Sequence, residues 1–111
     1  MQEQVKAPYY LYFIQSGPDG AIKIGVTNDM KPRMKLLQNG NPIRLSVVMK
    51  IPFQSRDEAF AAEQYWHNLF ASKRVLNEWF DITAADVFGS FVATGERFVA
   101  DQDARDEIIW E

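Results

Sequence analysis

The residues of this 111-residue chain that could do chemistry are Tyr10, Tyr12, Lys23, Arg33, and Glu63 with His67 four positions on. A set of Tyr, Lys, Arg and Glu suits phosphodiester hydrolysis. One carboxylate can hold a single Mg²⁺ that otherwise keeps its waters, and such an ion stabilises the leaving oxygen. An arginine fork stabilises charge on the phosphate. A tyrosine or lysine positions or deprotonates the attacking water when neighbours lower its pKa. Other chemistries are excluded. There is no Gly-rich phosphate loop, no Ser–His–Asp spacing and no dinucleotide fingerprint. The chain has no cysteine and one histidine, so disulfides, Cys-based zinc sites and multi-His metal sites are ruled out.

These residues need elements to hold them together. Two apolar runs, Tyr10–Gln15 and Ala21–Val26, flank Ser16-Gly17-Pro18-Asp19-Gly20 and predict a hairpin. The strand period puts Tyr10, Tyr12 and Ile14 on one face of the first strand, with Leu11 and Phe13 on the other. In the second strand Ala21, Lys23 and Gly25 share a face, opposite Ile22, Ile24 and Val26. Asp29 reads as an N-cap with Pro32 in the first turn of a helix. Its stripe is Met30, Met34 and Leu37, with Arg33 beside it, and Asn39-Gly40-Asn41-Pro42 ends it. A third strand, Ile43–Phe53, alternates Ile43, Leu45, Val47, Met49 and Ile51 with Arg44, Ser46, Val48 and Lys50.

Ser55-Arg56-Asp57-Glu58 is a capping box. It opens a helix running to about Lys73, with Ala59, Ala62, Trp66, Leu69 and Phe70 as its buried stripe and Glu63 and His67 along the stripe's edge. Val75–Ile82 reads as one short strand. Thr83 caps a helix over Ala84–Val92 that Gly95 stops, and Glu96–Glu111 reads as a further short helix. The expected fold is an α/β sandwich, a small, mostly antiparallel three-stranded sheet flanked by helices in the order β-β-α-β-α-(β)-α. The expected division is an arm over 1–9, a domain over 10–99 and an acidic tail over 100–111.

Length points to one domain, and eight Phe, four Tyr and three Trp can furnish its core. The first residues lack an apolar signal-like stretch, and no run approaches membrane-spanning length; the expectation is a soluble, cytoplasmic protein without membrane contact. Net charge is −3 but unevenly placed. Residues 100–111 carry Asp101, Asp103, Asp106, Glu107 and Glu111 against Arg105. Residues 21–44 carry Lys23, Lys31, Arg33, Lys35 and Arg44 against Asp29 alone, a local basic patch able to hold phosphate. Each of these residues also has a plainer reading. Lys23 is then a solvated strand lysine, Glu63 a rim carboxylate paired with His67 or a nearby cation, His67 a packing residue, and the basic run a solvated helix face.

The order and spacing of these motifs resemble the GIY-YIG nuclease superfamily, especially its compact branch from phage and bacterial open reading frames. Tyr10-Leu11-Tyr12 stands where that family has Gly-Ile-Tyr, and Lys23-Ile24-Gly25 where it has Tyr-Ile-Gly. Arg33 falls at the family's helix arginine. Glu63-Gln64-Tyr65-Trp66 resembles the helix with its metal-binding glutamate. His67, Phe70 and Glu78-Trp79-Phe80 resemble the ending of the compact branch. The resemblance spans about Tyr10 to Ile82 and implies a metal-dependent endonuclease. Tyr12 would be the general base or orient the water, Arg33 would bind the scissile phosphate, and Glu63 would hold one Mg²⁺ or Mn²⁺ with His67 beside it. Lys23 replaces the second tyrosine of the motif, Tyr10 its first glycine, and Asp81 an asparagine. The implied partner is the phosphate backbone of DNA, met at Tyr10, Lys31 and Lys35 besides the catalytic set. Two rivals stay open. One is a nucleic-acid-binding or regulatory module that does not cleave. The other is a protein-interaction domain whose acidic tail docks a separate partner or a second copy.

Overall fold

The hairpin forms where its alternation and turn residues place it. The computed structural model describes residues 8–99 and 109–110. β1 (Tyr9–Ser16) and β2 (Ile22–Thr27) pair antiparallel, with Leu11 facing Val26, Tyr12 facing Gly25 and Ile14 facing Lys23. β1 also pairs antiparallel with β3 (Leu45–Phe53), so it runs down the middle of the sheet. Between them come α1 (Met30–Gln38) and, after β3, α2 (Arg56–Leu69), a short 3₁₀ turn, β4 (Arg74–Leu76), β5 (Trp79–Phe80) and α3 (Ala84–Val99). Two residues, Ile109–Trp110, form β6 on the outer edge of β3. The sheet order is β4-β5-β2-β1-β3-β6, antiparallel throughout.

The α/β sandwich is therefore as expected, but the three-stranded sheet is not. Five strands belong to the body of the domain, and β6 adds to them. Val75–Ile82 is a hairpin rather than one strand, because Asn77 turns into the left-handed region (φ 51°) and folds β5 back beside β4. β5 then satisfies backbone groups on the outer edge of β2, which would otherwise lie unpaired. Gly95 lies inside α3; a lone glycine costs about 1 kcal/mol in a helix without ending it. Ile109 and Trp110 pair with Lys50 and Met49 as a strand instead of continuing a helix. The rest of the expected final helix, and most of the acidic tail, lie outside the described residues.

Helices cover both faces. Leu11, Phe13, Ile22, Ile24 and Phe80 pack under α2 and α3 with Ala62, Trp66 and Val87. Tyr12, Ile14 and Leu45 pack on the other face against Met30, Met34 and Leu37 of α1, with Trp79. Ser55 caps α2 as its capping box predicts, accepting from the Glu58 amide. Asp29 precedes α1 without a side-chain cap; instead Thr27 Oγ1 accepts from the Asp29 amide at 3.1 Å. Leu69, expected in the stripe of α2, is exposed at the end of that helix.

The third strand departs from simple alternation. Phe13 faces Met49 but Ile14 faces Val47, so Val48 is an extra residue, a β-bulge. It changes the phase of the side chains. Leu45 and Val47 pack on the α1 side, whereas Val48, Met49 and Ile51 pack on the α2 side. The single face expected for Ile43, Leu45, Val47, Met49 and Ile51 is thus split in two, and Ile43 lies before the strand, exposed.

Trp66 anchors the larger core. Its ring stacks on Phe91 with centroids 4.7 Å apart, and its indole N–H donates to Ser90 Oγ at 2.9 Å. Ser90→Ala should lower stability by about 1–3 kcal/mol, because the buried indole loses this acceptor. A lower urea midpoint at unchanged slope checks it; an unchanged midpoint would contradict it.

Candidate functional site

Tyr12 and Arg33 come together as a pair. Tyr12 sits in the central strand, fully buried, with its hydroxyl lying over Gly25 of the neighbouring strand. Arg33, in the second turn of α1, reaches down to it. Its Nη1 donates to Tyr12 Oη at 3.1 Å and to the Val26 carbonyl at 3.4 Å. Arg33 sits beside the Met30/Met34/Leu37 stripe, so the helix must lie against the sheet for the guanidinium to arrive there. Both contacts use Nη1, which leaves the other guanidinium N–H groups as donors for an anion. The space for the hydroxyl exists because residue 25 is glycine. A Cβ there would lie 2.4 Å from Tyr12 Oη and 2.6 Å from Cζ.

A second group gathers at the other end of β2. Lys23 Nζ donates to Glu78 Oε1 at 2.9 Å and lies 5.9 Å from the Trp79 ring. Glu78 follows the left-handed Asn77, and its carbonyl accepts from the Ile24 amide at 3.0 Å. The turn thus fixes the carboxylate against β2. Glu63 and His67 are buried rather than on the stripe's edge, at 5 % and 6 % exposure. Glu63, His67 and Glu78 each offer a ligand atom, all within 4.8 Å of one another. Glu63 is pushed up to about 7, first by burial, then by the charge of Glu78 and a hydrogen bond with it, against a smaller opposing pull from Lys23.

His67 has a defined task. Its Nε2 lies 2.9 Å from the Ile24 carbonyl, which can only accept, so Nε2 carries the proton and donates. The same nitrogen is 4.0 Å from Glu63 Oε2, too far for a hydrogen bond. His67 therefore ties α2 to β2 beside the carboxylates. Of the remaining expected residues, Tyr10 is half-buried with Lys50 Nζ 5.6 Å from its ring centroid. Lys31 and Lys35 are exposed on α1, and Lys35 lines an open groove that it shares with Arg44. Asp81 is exposed.

One residue of the acidic group, Glu78, is absent from the set read as catalytic. It appears in the sequence only within Glu78-Trp79-Phe80, and its reach depends on the turn at Asn77, which no periodicity reveals. β2 joins the two groups. Gly25 makes room for Tyr12, the Ile24 carbonyl holds His67, and Lys23 holds Glu78.

Fold and site define a small α/β domain in which a tyrosine–arginine pair and a partly buried Glu63–Glu78 pair of carboxylates gather around neighbouring residues of β2. Among the described residues no helix is long and apolar enough to cross a membrane. Over residues 9–91 the chain matches the T5orf172 domain, and it belongs to that family. This is a phage-derived domain associated with nuclease-type modules, compatible with a nuclease-like or DNA-binding role. No curated protein and no solved structure matches the chain.

Proposed function

We propose that this chain is a GIY-YIG-type endonuclease that hydrolyses phosphodiester bonds in DNA with one divalent cation. The observation that carries the reading is the contact of Arg33 Nη1 with Tyr12 Oη, made by residues 21 positions apart. The remaining Arg33 N–H groups bind the scissile phosphate and neutralise the charge that builds on it. Arg33 occupies one lone pair of the Tyr12 oxygen, so the phenolic O–H is left to donate and to orient the attacking water. Gly25 keeps that hydroxyl in place.

The acidic group fits a hard cation. Its donors are two carboxylates, and the proton affinity of Glu63 is raised first by its burial and then by the neighbouring Glu78, so its charged form is the one a bound cation would favour. Glu63 would hold Mg²⁺ or Mn²⁺, with Glu78 as a second oxygen donor, and the ion supplies charge stabilisation at the leaving oxygen. Lys23 sets the charge of the pair of carboxylates by neutralising Glu78.

A second reading, binding without cleavage, rests on the same lysine. Its ammonium is already committed to Glu78 at 2.9 Å, where the GIY-YIG motif has a tyrosine. Plasmid nicking separates the two. Wild type, Glu63→Ala and Arg33→Ala are assayed with Mg²⁺, Mn²⁺ or chelator. Nicking that requires metal and is lost in both variants is expected. DNA binding with no cleavage under any condition would overturn the nuclease in favour of the binding module.

A further inference from the structure

We propose that the groove between α1 and the start of β3 grips the phosphate backbone of DNA through Lys35 and Arg44; this rests on the DNA-directed reading above. From α1 to the start of β3, residues 31–44 hold Lys31, Arg33, Lys35 and Arg44 and no Asp or Glu. Arg33 turns inward to Tyr12. Lys35 and Arg44 are exposed instead, and both line one groove with Pro32, Met34, Gln38 and Leu45. Among the described residues no ion pair or side-chain hydrogen bond engages either cation. Asp19, in the turn of the first hairpin, pairs with neither. Two cations without a counter-ion make a positive concavity that an anion fills. The C-terminus of α1 lies close by, but its dipole amounts to roughly half a negative charge, less than the two cations supply.

The wall that carries Arg44 is built rather than loose. Gln38, in the last turn of α1, spends its whole amide on it. Its Nε2 donates to the Asn41 and Ile43 carbonyls at 3.1 and 3.0 Å, and its Oε1 accepts from the Leu45 amide at 2.8 Å. From the other side the Gly17 amide donates to the Arg44 carbonyl at 3.0 Å. The backbone at and around Arg44 is thus tied both to α1 and to the turn of the first hairpin. A cation on a fixed backbone has less freedom to lose when it closes on an anion. Pro32 and Met34, which line the groove, are the chain neighbours of Arg33. Arg33 takes the scissile phosphate, and Lys35 and Arg44 take phosphate further along the same backbone. Such contacts carry no sequence information, but they fix how the DNA lies across α1. Arg44 is outside the residues that the GIY-YIG resemblance assigns to DNA.

Lys35→Met and Arg44→Met remove the charges singly and together, and Arg44→Lys keeps one. Lys73→Met removes an equally exposed charge just before β4, at the opposite edge of the sheet. Binding to a fluorescein-labelled DNA duplex is followed by anisotropy in chelator over a range of salt, and nicking is followed separately with Mn²⁺. Each groove variant should weaken binding about ten-fold at low salt. Each should lower the slope of log affinity against log salt by about one, and the double variant by about two. Arg44→Lys and Lys73→Met should keep the wild-type slope, and the thermal midpoints of all five variants should match wild type. A double variant with wild-type affinity and slope would overturn the groove and leave the DNA reading standing. So would an equal loss in Lys73→Met, which would show an effect of overall charge alone. The expected slopes in a protein that never nicks would uphold the groove and overturn the nuclease instead. A wild type that binds no DNA at low salt would overturn both.

Discussion

Raising the pH from 4.5 through about 7 should remove about 3 kcal/mol of stability from the metal-free protein through Glu63 alone. The sign follows from linkage. The folded state holds the Glu63 proton more tightly than the unfolded chain does, so folding binds protons across this window. The stabilisation is complete below pH 4.5 and is lost as the pH passes about 7. Glu63 is buried beside Glu78, which makes its charged form costly whenever no added cation is near. Glu63→Gln cannot ionise, so its thermal midpoint at about pH 8 should exceed that of wild type by on the order of 10 °C. Near pH 4.5 the two should differ much less. Adding Mg²⁺ or Mn²⁺ at about pH 8 should raise the wild-type midpoint and leave Glu63→Gln unmoved. Near pH 5 the same ion competes with a proton and should do little. Equal midpoints for both proteins across the range would show that Glu63 carries no such strain. A rise in both on adding metal would place the ion elsewhere.

Gly25→Ala should combine a loss of stability with a loss of nicking out of proportion to it. The added methyl meets Tyr12 at 2.4 Å from Oη and 2.6 Å from Cζ, well inside contact distance. The obstacle is the end of a rigid, fully buried ring and not a flexible side chain. Either the ring tilts or β1 and β2 part, and overpacking of this kind costs about 1–3 kcal/mol. In both cases the hydroxyl moves from Arg33, and a displacement near 1 Å can remove about a hundred-fold of rate. Calorimetry and nicking on the same preparation test this. A variant with wild-type midpoint and wild-type nicking would mean that the hydroxyl is not confined as described. A variant that stays folded but inactive would confirm the glycine's task of making room.

How much of this could be read from the sequence differed from element to element. The first hairpin was legible because Leu11 and Phe13 alternate cleanly with Tyr12 and Ile14, and Gly17 and Gly20 mark its turn. Both partners of the Tyr12–Arg33 contact were legible, and so was Arg33's place beside the stripe of α1. The bulge was not. Val47, Val48 and Met49 are all apolar, so a change of phase among them leaves no trace in the pattern, and Lys50 was assigned to the wrong company. The β4–β5 hairpin was hidden because strands of three and two residues are shorter than any period can register. That also concealed Glu78, whose position is set by a single left-handed residue. Glu63 and His67 were placed on the rim because helical spacing gives direction, whereas their burial depends on how closely α2 approaches β2.

The alternation along β2 carries one more implication. Its odd-numbered residues, Lys23 and Gly25, share the α1 side with Tyr12 and Ile14, and its even-numbered residues, Ile22 and Ile24, serve the core under α2. Assembly of the site and burial of the core are therefore one event. Sliding β2 by a single residue would thrust an ammonium into hydrocarbon and seat a branched side chain against a phenol ring. No half-correct arrangement keeps either function. The register thus acts as an interlock: chains that have not reached it hold neither the Tyr12–Arg33 contact nor the Lys23–Glu78 pair.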